Sequence, residues 1–473
     1  MPLTGEFDDA IEHAVARLPA VPGLAVAVYT RDGTYARAFG VTDVNTREPA
    51  TPDTAFYIAS STKPLTALTL AILQARGELD LDATLASYAP DANFPAAVRT
   101  DVVTFRHLLA HNSGIANDPI MYRVAFSGDH DPRLLWSLLA SSKVNERAPF
   151  GTFRYTNVDY NIATILTDRK SGVRWQDLLA REIFEPAGMT HTSASLSRTA
   201  GWSMARPHGY SLETCRSERL YLEKSDHTLQ SAGGVIMSAH DATRWLELVI
   251  EDGTIGGRQV IPAAAVQEVR EPVAAVNEKR DDFGRDSYGL GWYIGHYRDD
   301  VMLHHFGSFS GARAHVSFLP GRHVGVAAFV NDSTVSALIV DLIAKFIYDR
   351  LAGRADARAI FDAAVEKLAT DGPAGMRASV DSRAARPWTL TRPRVAYEGV
   401  YKSSAMGTMQ IDVVDEKITV RIGVLHAVAT PFTDPESLRV ELAPFQGDAI
   451  RFEFADGPRP AALLFGGERF TRQ

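Results

Sequence analysis

Strand-like segments at both ends of a long helical stretch are the feature that most constrains the fold of this chain. Residues 23–30 and 35–44 are predicted as strands, and the Arg31, Asp32 and Gly33 between them form a hairpin-turn signal. Strand patterns return only at residues 289–296, 301–305, 313–318 and 324–331. Because each strand must bury a face against other elements, we expect both groups to share one antiparallel sheet.

The stretch between them is rich in helical periodicity. Apolar residues recur at helical spacing, and Asp131 followed by Pro132 is typical of a helix N-terminus. Predicted helices cover residues 6–17, 64–76, 103–111, 132–139, 160–170, 175–183, 239–251 and 336–351. The pattern predicts an α+β fold in which an antiparallel sheet is flanked by helices and accompanied by an all-helical region.

The C-terminal quarter has a different character. Residues 353–392, rich in Arg, Ala, Asp and Gly and punctuated by Pro, are predicted as a helix followed by a linker. Short alternating strands follow at residues 399–402, 408–414, 417–422, 449–454 and 462–465, which indicates a small all-β barrel or sandwich. We therefore expect a main domain over residues 1–352, a helical linker over 353–392 and a β domain over 393–473.

Composition narrows the class of protein. The 473 residues carry a net charge of −8, whereas a nucleic-acid-binding protein is usually basic. Cys215 is the only cysteine, so no intramolecular disulfide can form, and we expect it to be an inert thiol. No signal peptide and no apolar run of transmembrane length is visible, which predicts a cytoplasmic protein that does not enter a membrane, or an exported one if a leader has been trimmed.

Ser60 and Lys63 form the first chemical motif. A serine hydroxyl needs a base to act as a nucleophile, and a residue three positions along a helix lies on the same face. A desolvated lysine can be neutral and accept a proton. We expect Ser60 at the N-terminus of a helix, where backbone N–H groups favour developing negative charge. The alternative is an N-cap serine beside a solvated lysine.

Tyr155 and Asn157 form the second motif. They follow a turn at residues 151–154 and precede a predicted helix. A phenol in a cationic pocket can lose its proton and act as a base, and Asn157 offers an amide to orient a substrate. The alternative is a packed aromatic residue and a turn residue.

The third motif, His305 and Gly307 followed by Ser308, lies at the end of a predicted strand. A glycine there lets a substrate lie along the strand edge. The backbone N–H groups of Ser60 and Ser308 are then candidates for an oxyanion hole. His305 would stabilise charge or bind a substrate carboxylate, unless it is a core or surface histidine.

Other kinds of site are poorly represented in the sequence. Neither a G-x-S-x-G elbow nor a zinc, P-loop or dinucleotide-binding motif occurs. We expect no metal and no cofactor.

The three motifs in this order resemble the serine β-lactamase and penicillin-binding-protein superfamily, in particular class C β-lactamases, D-aminopeptidases and family VIII esterases. Further similar segments lie at residues 108–114, 184–189, 231–234 and 288–292, and the likeness spans about residues 8–350.

The resemblance implies a metal-free acyl-enzyme mechanism and the fold described above. His111 and Trp292, within the additional segments, are expected to be packing residues. His305 stands where class C enzymes carry a lysine, and a histidine is mostly neutral at pH 7–8, so efficient recognition of a β-lactam carboxylate is not expected. Tyr155 would serve both half-reactions.

Residues 396–473 weakly resemble the lipocalin-like barrels of several such hydrolases. The resemblance implies a barrel that covers the cleft, binds substrate, mediates oligomerisation or only adds stability.

We therefore interpret the chain as a serine hydrolase that forms an acyl-enzyme on Ser60. Its substrate would be an amide or peptide, including one with a D-residue, or an ester. One alternative is an acyltransferase or peptide-cyclising thioesterase, and another is a non-catalytic binding or sensor protein on the same scaffold. The substrate identity and the formation of a homo-oligomer are left open by the sequence.

Overall fold

The computed structural model describes residues 4–280 and 282–473. Its α-helices are α1 (Thr4–Arg17), α2 (Lys63–Ala75), α3 (Leu85–Tyr88), α4 (Phe105–Leu109), α5 (Asp118–Tyr122), α6 (Pro132–Leu138), α7 (Asn157–Ser171), α8 (Trp175–Leu179), α9 (Glu185–Ala187), α10 (Ala239–Ile250), α11 (Ala263–Arg270), α12 (Ile339–Leu351) and α13 (Ala357–Ala384).

Strands occur at both ends of the main domain and in the C-terminal quarter, as the sequence indicated. Short additional strands lie within the helical region. They are β1 (Gly23–Thr30), β2 (Gly33–Gly40), β3 (Phe56–Tyr57), β4 (Ile115–Ala116), β5 (Lys143–Val144), β6 (Thr192–Ser193), β7 (His208–Ser211), β8 (Arg216–Arg219), β9 (Ile236–Met237), β10 (Thr254–Ile255), β11 (Arg258–Gln259), β12 (Ala274–Arg280), β13 (Phe283–Tyr288), β14 (Tyr293–Tyr297), β15 (Asp300–Phe309), β16 (Ala312–Leu319), β17 (Val324–Val330), β18 (Gly399–Ser403), β19 (Gly407–Val414), β20 (Lys417–Ile422), β21 (Leu425–Val428), β22 (Thr430–Pro431), β23 (Ser437–Ala443), β24 (Gln446–Phe454), β25 (Pro460–Phe465) and β26 (Glu468–Arg472).

The central element is an eight-stranded antiparallel sheet in the order β12-β13-β14-β15-β16-β17-β1-β2. β1 pairs with β17 in the register Leu24 opposite Val330, so strands from the two ends of the main domain are neighbours. The prediction that both groups of strands share one antiparallel sheet is confirmed, as is the predicted fold class.

Helices cover both faces of this sheet because its side chains alternate between two apolar layers. Val26 and Val28 of β1 pack with Phe7 of α1 and with α12 on one face. Ala25 and Ala27 point to the other face, towards α10 and α2. Each large apolar side chain buried in this way contributes about 1.5–3 kcal/mol. β1 and β17 are therefore buried on both sides, which explains their nearly continuous apolar sequences.

The helical region lies between β3 and β9 in the chain. Its helices start at side-chain caps: the Asp131 carboxylate accepts the Leu134 N–H at 2.7 Å, as the sequence predicted. Thr156 caps α7 by accepting the Val158 N–H, so α7 begins at Asn157, three residues earlier than expected. None of the helices within the described ranges is long and apolar enough to cross a membrane.

Several element boundaries differ from the sequence-based prediction. The strand expected from residue 289 begins at Tyr293, because Gly291 adopts a φ of 87° in a turn that packs against Pro64. The edge strand β12 and its neighbour β13 were not predicted, since their polar sequences lack an apolar alternation. α13 continues through Pro373 for 28 residues, where the proline suggested an earlier end.

The C-terminal strands form a nine-stranded, nearly closed barrel in the order β21-β20-β19-β18-β26-β25-β24-β23-β22. This bears out a barrel rather than a sandwich. The barrel contacts the helical region, where the Arg123 guanidinium donates to the Ala405 carbonyl at 3.0 Å and the ring of Tyr122 packs edge-on against Phe465. It also reaches the β15–β16 turn, where Ser310 Oγ donates to the Pro444 carbonyl at 3.2 Å.

Candidate active site

Ser60 lies on a 3₁₀ turn, Ala59–Thr62, between β3 and the first residue of α2. The turn leads directly into α2, at the helix N-terminus where the sequence predicted Ser60. Ala59 has a φ of 44°, a left-handed conformation that is rare for a non-glycine residue and requires support from its surroundings. Ser61 Oγ provides such support by donating to the His305 carbonyl at 2.9 Å.

Lys63 is completely buried, and its amine points at the nucleophile. Nζ lies 3.4 Å from Ser60 Oγ, 2.7 Å from Asn157 Oδ1 and 2.8 Å from the Ala232 carbonyl oxygen. The expected meeting of Ser60, Lys63 and Asn157 is therefore present in the structure. Burial, the dominant cause, moves the pKa of Lys63 well below its ordinary value.

The arrangement around Nζ suits a neutral amine. A neutral amine has two N–H bonds and one lone pair, and the two nearer contacts of Nζ are both to oxygen acceptors, Asn157 Oδ1 and the Ala232 carbonyl. With both N–H bonds used there, the lone pair remains for the hydroxyl of Ser60. The two carbonyl-type oxygens would also accept hydrogen bonds from a charged Lys63. None of the three contacts of Nζ is a carboxylate, however, so no negative charge compensates a buried ammonium ion for its lost hydration.

Tyr155 closes the site above Lys63. Nζ of Lys63 lies 4.7 Å from the centre of the Tyr155 ring, and the Ser60 side chain interacts with the Tyr155 hydroxyl and lowers its pKa in part. The residue is 36% exposed, yet crowding of its hydroxyl end by protein raises the pKa of Tyr155, and the interaction with Ser60 only partly opposes this. The phenol is thus neutral at neutral pH, which argues against the phenolate that the sequence analysis considered.

His305 is buried next to the same tyrosine. Its ring centre lies 5.8 Å from that of Tyr155 and 5.8 Å from that of Tyr293. Nδ1 is 3.0 Å from the Phe306 carbonyl oxygen, which assigns the proton to Nδ1, and Nε2 is buried without a hydrogen-bond partner among the described residues. Burial first, and the nearby Lys63 second, lower the pKa of His305, so this ring is neutral.

β15 offers an open edge to the nucleophile. Its pairing with β14 ends at Tyr293 opposite His304, whereas its pairing with β16 continues to Phe309 opposite Ala312. On the side where β14 has ended, the strand faces the 3₁₀ turn that carries Ser60. Ser308, next to Gly307 on this segment, is exposed to solvent.

Gly307 is the residue that lets strand and turn approach. A Cβ at this position would lie 1.9 Å from the Ile58 carbonyl oxygen and 3.2 Å from the Ser60 nitrogen, both of which are backbone atoms that cannot move aside. The glycine predicted to allow close approach of a ligand therefore allows close approach of the nucleophile turn.

The variant Gly307→Ala is expected to displace the Ser60 turn. The overlap should cost about 1–3 kcal/mol of stability and slow acylation of Ser60, as measured by thermal unfolding and by the rate of labelling with a fluorophosphonate. Gly321→Ala is the matched control, because a Cβ at that position meets nothing within 4 Å. A Gly307→Ala protein with the stability and labelling rate of the control would contradict this role.

Sequence reasoning missed two contributors to the site. The Ala232 carbonyl holds Lys63, but a backbone acceptor leaves no residue-type signal beyond the segment 231–234 that was judged structural. His111 was expected to be a packing residue, and its ring lies 4.7 Å from that of Tyr155. Within residues 4–280 and 282–473, no group of three His, Cys, Asp or Glu side chains is arranged to hold a metal ion.

Comparison with known proteins identifies the family. The family model described as Beta-lactamase matches residues 9–345, which is well over half of the chain. The chain belongs to the β-lactamase family. The 3₁₀ turn with Ser60, the buried Lys63 and the open edge of β15 all lie within the matched region. The predicted resemblance to the β-lactamase and penicillin-binding-protein superfamily is thereby confirmed.

Relatives of this β-lactamase-family chain differ in their described activities. It is 27% identical to Penicillin-binding protein 4 of Amycolatopsis lactamdurans over 69% of this chain and 85% of that protein. It is 23% identical to Unguisins hydrolase ungD of Aspergillus violaceofuscus over 91% of this chain and 79% of that protein.

Among solved structures, the octameric penicillin-binding protein homologue from Pyrococcus abyssi aligns with a TM-score of 0.62 at 20% identity, covering 99% of both chains. D-amino acid amidase from Ochrobactrum anthropi SV3 aligns with a TM-score of 0.57 at 19% identity, covering 70% of this chain and 92% of that one. At these identities the structural likeness establishes a common fold.

Proposed function

We propose that this protein is a serine hydrolase that acts through an acyl-enzyme on Ser60. The observation that carries the proposal is the buried Lys63 amine, held 3.4 Å from Ser60 Oγ by two other acceptors. A buried lysine without a carboxylate partner is costly to maintain, and such an arrangement is typical of a group that takes part in chemistry.

The first half-reaction follows from this geometry. Ser60 Oγ attacks the carbonyl carbon of the substrate, and its proton passes to the neutral amine of Lys63. The backbone N–H groups of Ser60 and Ser308 are proposed to stabilise the oxyanion, and Asn157 to orient the acyl group. Because the phenol of Tyr155 is neutral, we propose that it gives its proton to the leaving group and takes the proton held by Lys63. In deacylation the attacking water gives a proton through Tyr155 to Lys63, which returns it to Ser60 Oγ as the acyl group is released.

Amides, peptides with D-residues and esters are the proposed substrate classes. The fold neighbour described as a D-amino acid amidase supports amide cleavage, and the relative described as an unguisins hydrolase supports hydrolysis. The neutral His305 supports the same choice, because an uncharged imidazole attracts a β-lactam carboxylate less than a lysine does. A neutral His305 would not act as a cation towards the substrate.

A substrate panel tests the proposal. Matched D- and L-amino acid amides, D-containing dipeptides and p-nitrophenyl esters are incubated with the wild type and with Ser60→Ala, and product release is followed by liquid chromatography. Turnover of at least one class by the wild type alone supports a hydrolase. A wild type that turns over none of them and forms no adduct with a fluorophosphonate would favour the alternative of a binding or sensor protein.

The pH dependence of kcat/KM is expected to report Lys63. The reactive form is the neutral amine, so activity should rise with pH through the lowered pKa of Lys63, well below the ordinary 10.5, and then reach a plateau. The raised pKa of Tyr155 should extend that plateau beyond the usual range of tyrosine. A midpoint near 10.5 would contradict the neutral amine, and loss of the acid limb in His305→Gln would assign it to His305 instead.

Acyl transfer is the second candidate reaction. Ser310, two residues after the proposed oxyanion-hole residue Ser308, is hydrogen-bonded to Pro444 of the barrel, so the barrel borders the open edge of β15. A barrel in this place is suited to hold an acceptor amine near the acyl-enzyme. Adding D-amino acids as acceptors to the substrate panel distinguishes the two reactions, because transfer gives a condensed product and hydrolysis a free acid.

We also propose that the chain divides into residues 1–352, 353–392 and 393–473. The barrel is proposed to be lipocalin-like, and the protein to form a homo-oligomer. The octameric fold neighbour from Pyrococcus abyssi supports self-association. Light scattering coupled to size-exclusion chromatography tests it, and a monomer across the accessible concentration range would contradict it.

A further inference from the structure

One histidine contacts both chain neighbours of Tyr155. The backbone N–H of Arg154 donates to the His111 carbonyl at 2.7 Å, and the backbone N–H of Thr156 donates to His111 Nδ1 at 3.4 Å. In addition, the His111 ring centre lies 4.7 Å from the centre of the Tyr155 ring. A single residue thus contacts the backbone before Tyr155, the backbone after it and the ring itself.

His111 is itself held in place. It is 1% exposed, and its ring lies 5.1 Å from the ring of Tyr160 and 5.0 Å from that of Tyr288. Its Nδ1 is 3.9 Å from a carboxylate oxygen of Asp159, which is also hydrogen-bonded to Ser113. These contacts involve three separate parts of the chain, so the position of the imidazole is determined by tertiary packing.

The backbone of His111 has an unusual conformation. Its φ of 57° lies in the left-handed region, which non-glycine residues seldom adopt. Such a conformation persists when surrounding contacts compensate for it, and it commonly occurs near functional sites. Here it allows the carbonyl and Nδ1 of one residue to accept hydrogen bonds from two positions that are two residues apart.

Tyr155 depends on this contact from one side. The ring also stacks at 6.3 Å on Tyr293, and its hydroxyl interacts with the Ser60 side chain. Tyr155 precedes the N-cap of α7, so no helical hydrogen bonds fix its own backbone. The direction of the phenol towards Ser60 therefore rests on the three rings around it, those of His111, Tyr293 and His305, and on the flanking bonds to His111.

We propose that His111 is the positioning residue for Tyr155, holding the phenol in line with Ser60 and Lys63. This inference rests on the proposed hydrolase function. Because His111 acts through Tyr155, its loss should lower kcat and leave KM nearly unchanged. A residue that merely fills the core would instead alter stability, with no specific dependence on Tyr155.

The test uses His111→Gly, His111→Asn, Tyr155→Phe and the double variant His111→Gly/Tyr155→Phe. Glycine adopts a positive φ without strain and keeps the carbonyl bonded to Arg154, so the variant removes only the ring and Nδ1. Asparagine tolerates the same φ and places Oδ1 near the position of Nδ1. Thermal unfolding shows that each variant is folded before rates are compared.

His111→Gly is expected to lower kcat on the order of 10–10²-fold, the effect of misplacing a reacting group by about 1 Å. His111→Asn should recover activity to within about threefold of the wild type, because it restores the acceptor for the Thr156 N–H. In the Tyr155→Phe background, removal of His111 should have no further effect on kcat. Equal losses in both backgrounds, or a change confined to KM, would overturn the inference.

A measurement independent of turnover separates this inference from the proposed function. In protein labelled with 3-fluorotyrosine, the ¹⁹F signal of residue 155 is assigned by its absence from Tyr155→Phe. This signal should shift and broaden in His111→Gly and return towards the wild type in His111→Asn. An unchanged signal in His111→Gly would refute positioning even if the wild type is an active enzyme. If the signal changes in His111→Gly but the wild type has no activity, only the proposed hydrolase function is refuted.

Discussion

Replacement of Ser60 by alanine is expected to abolish covalent labelling and to lower kcat/KM by at least about 10⁴-fold, or roughly 5 kcal/mol of transition-state stabilisation. The Tyr155 hydroxyl is not expected to replace it, since it is a neutral phenol of raised pKa. Intact-protein mass spectrometry after incubation with a fluorophosphonate and with p-nitrophenyl acetate measures the first effect, and steady-state kinetics measure the second.

Ser61→Ala is the matched control for this prediction. Ser61 is the adjacent serine on the same turn, but its Oγ is buried and donates to the His305 carbonyl, so it cannot reach a substrate. The control should keep the adduct at Ser60 while losing some stability. An adduct that persists in Ser60→Ala would show that another residue is the nucleophile and would refute the proposed mechanism.

The change Lys63→Met is expected to slow acylation about 10³-fold, the usual contribution of a general base. Methionine fills most of the space of the lysine stem but has no nitrogen to accept the proton from Ser60. Stopped-flow release of p-nitrophenol from p-nitrophenyl acetate measures the acylation rate directly. Lys345→Met, in which a half-buried lysine paired with Asp282 is replaced, is the control and should acylate at the wild-type rate.

The same variant should change how stability depends on pH. The unfolded chain has a lysine of ordinary pKa 10.5, whereas burial lowers the pKa of Lys63 in the folded protein. Between these two values the unfolded state holds one more proton, so this residue makes stability rise as pH rises through that window. Lys63→Met should lack this rise in urea-unfolding midpoints. A variant with the same slope as the wild type would show that Lys63 is charged in the folded protein.

Much of the central fold could be predicted because it depends on local patterns. The strand at residues 23–30 was predicted with the boundaries of β1, and the cap at Asp131 was predicted together with the helix it begins. Those signals are alternation, helical spacing and side-chain caps, which operate within a few residues. α13 was the clearest departure: it continues through Pro373, and at the neighbouring Gly372 a Cβ would lie 2.3 Å from the Val335 carbonyl oxygen, a long-range contact that no local pattern reveals.

The candidate site was predictable only in part, because the sequence signals operate over only a few residues. The spacing of Ser60 and Lys63 is local and appears in the sequence. The contact from Lys63 to the Ala232 carbonyl joins residues 169 positions apart, and the bond from the Thr156 N–H to His111 joins residues 45 positions apart. No periodicity or residue type marks such pairs, because they arise when separate segments pack together.

By itself, the sequence determined which functional groups are available and in which order: a serine, an amine three positions later, a phenol with an amide, and an imidazole beside a glycine. Only the tertiary structure decided their protonation. Burial lowers the pKa of Lys63 and of His305 and raises that of Tyr155. In the mechanism that we propose, the amine can therefore act as a base and the phenol as a neutral donor. The reason is that a pKa depends on the surrounding solvent and charges, and these are set by contacts between distant parts of the chain.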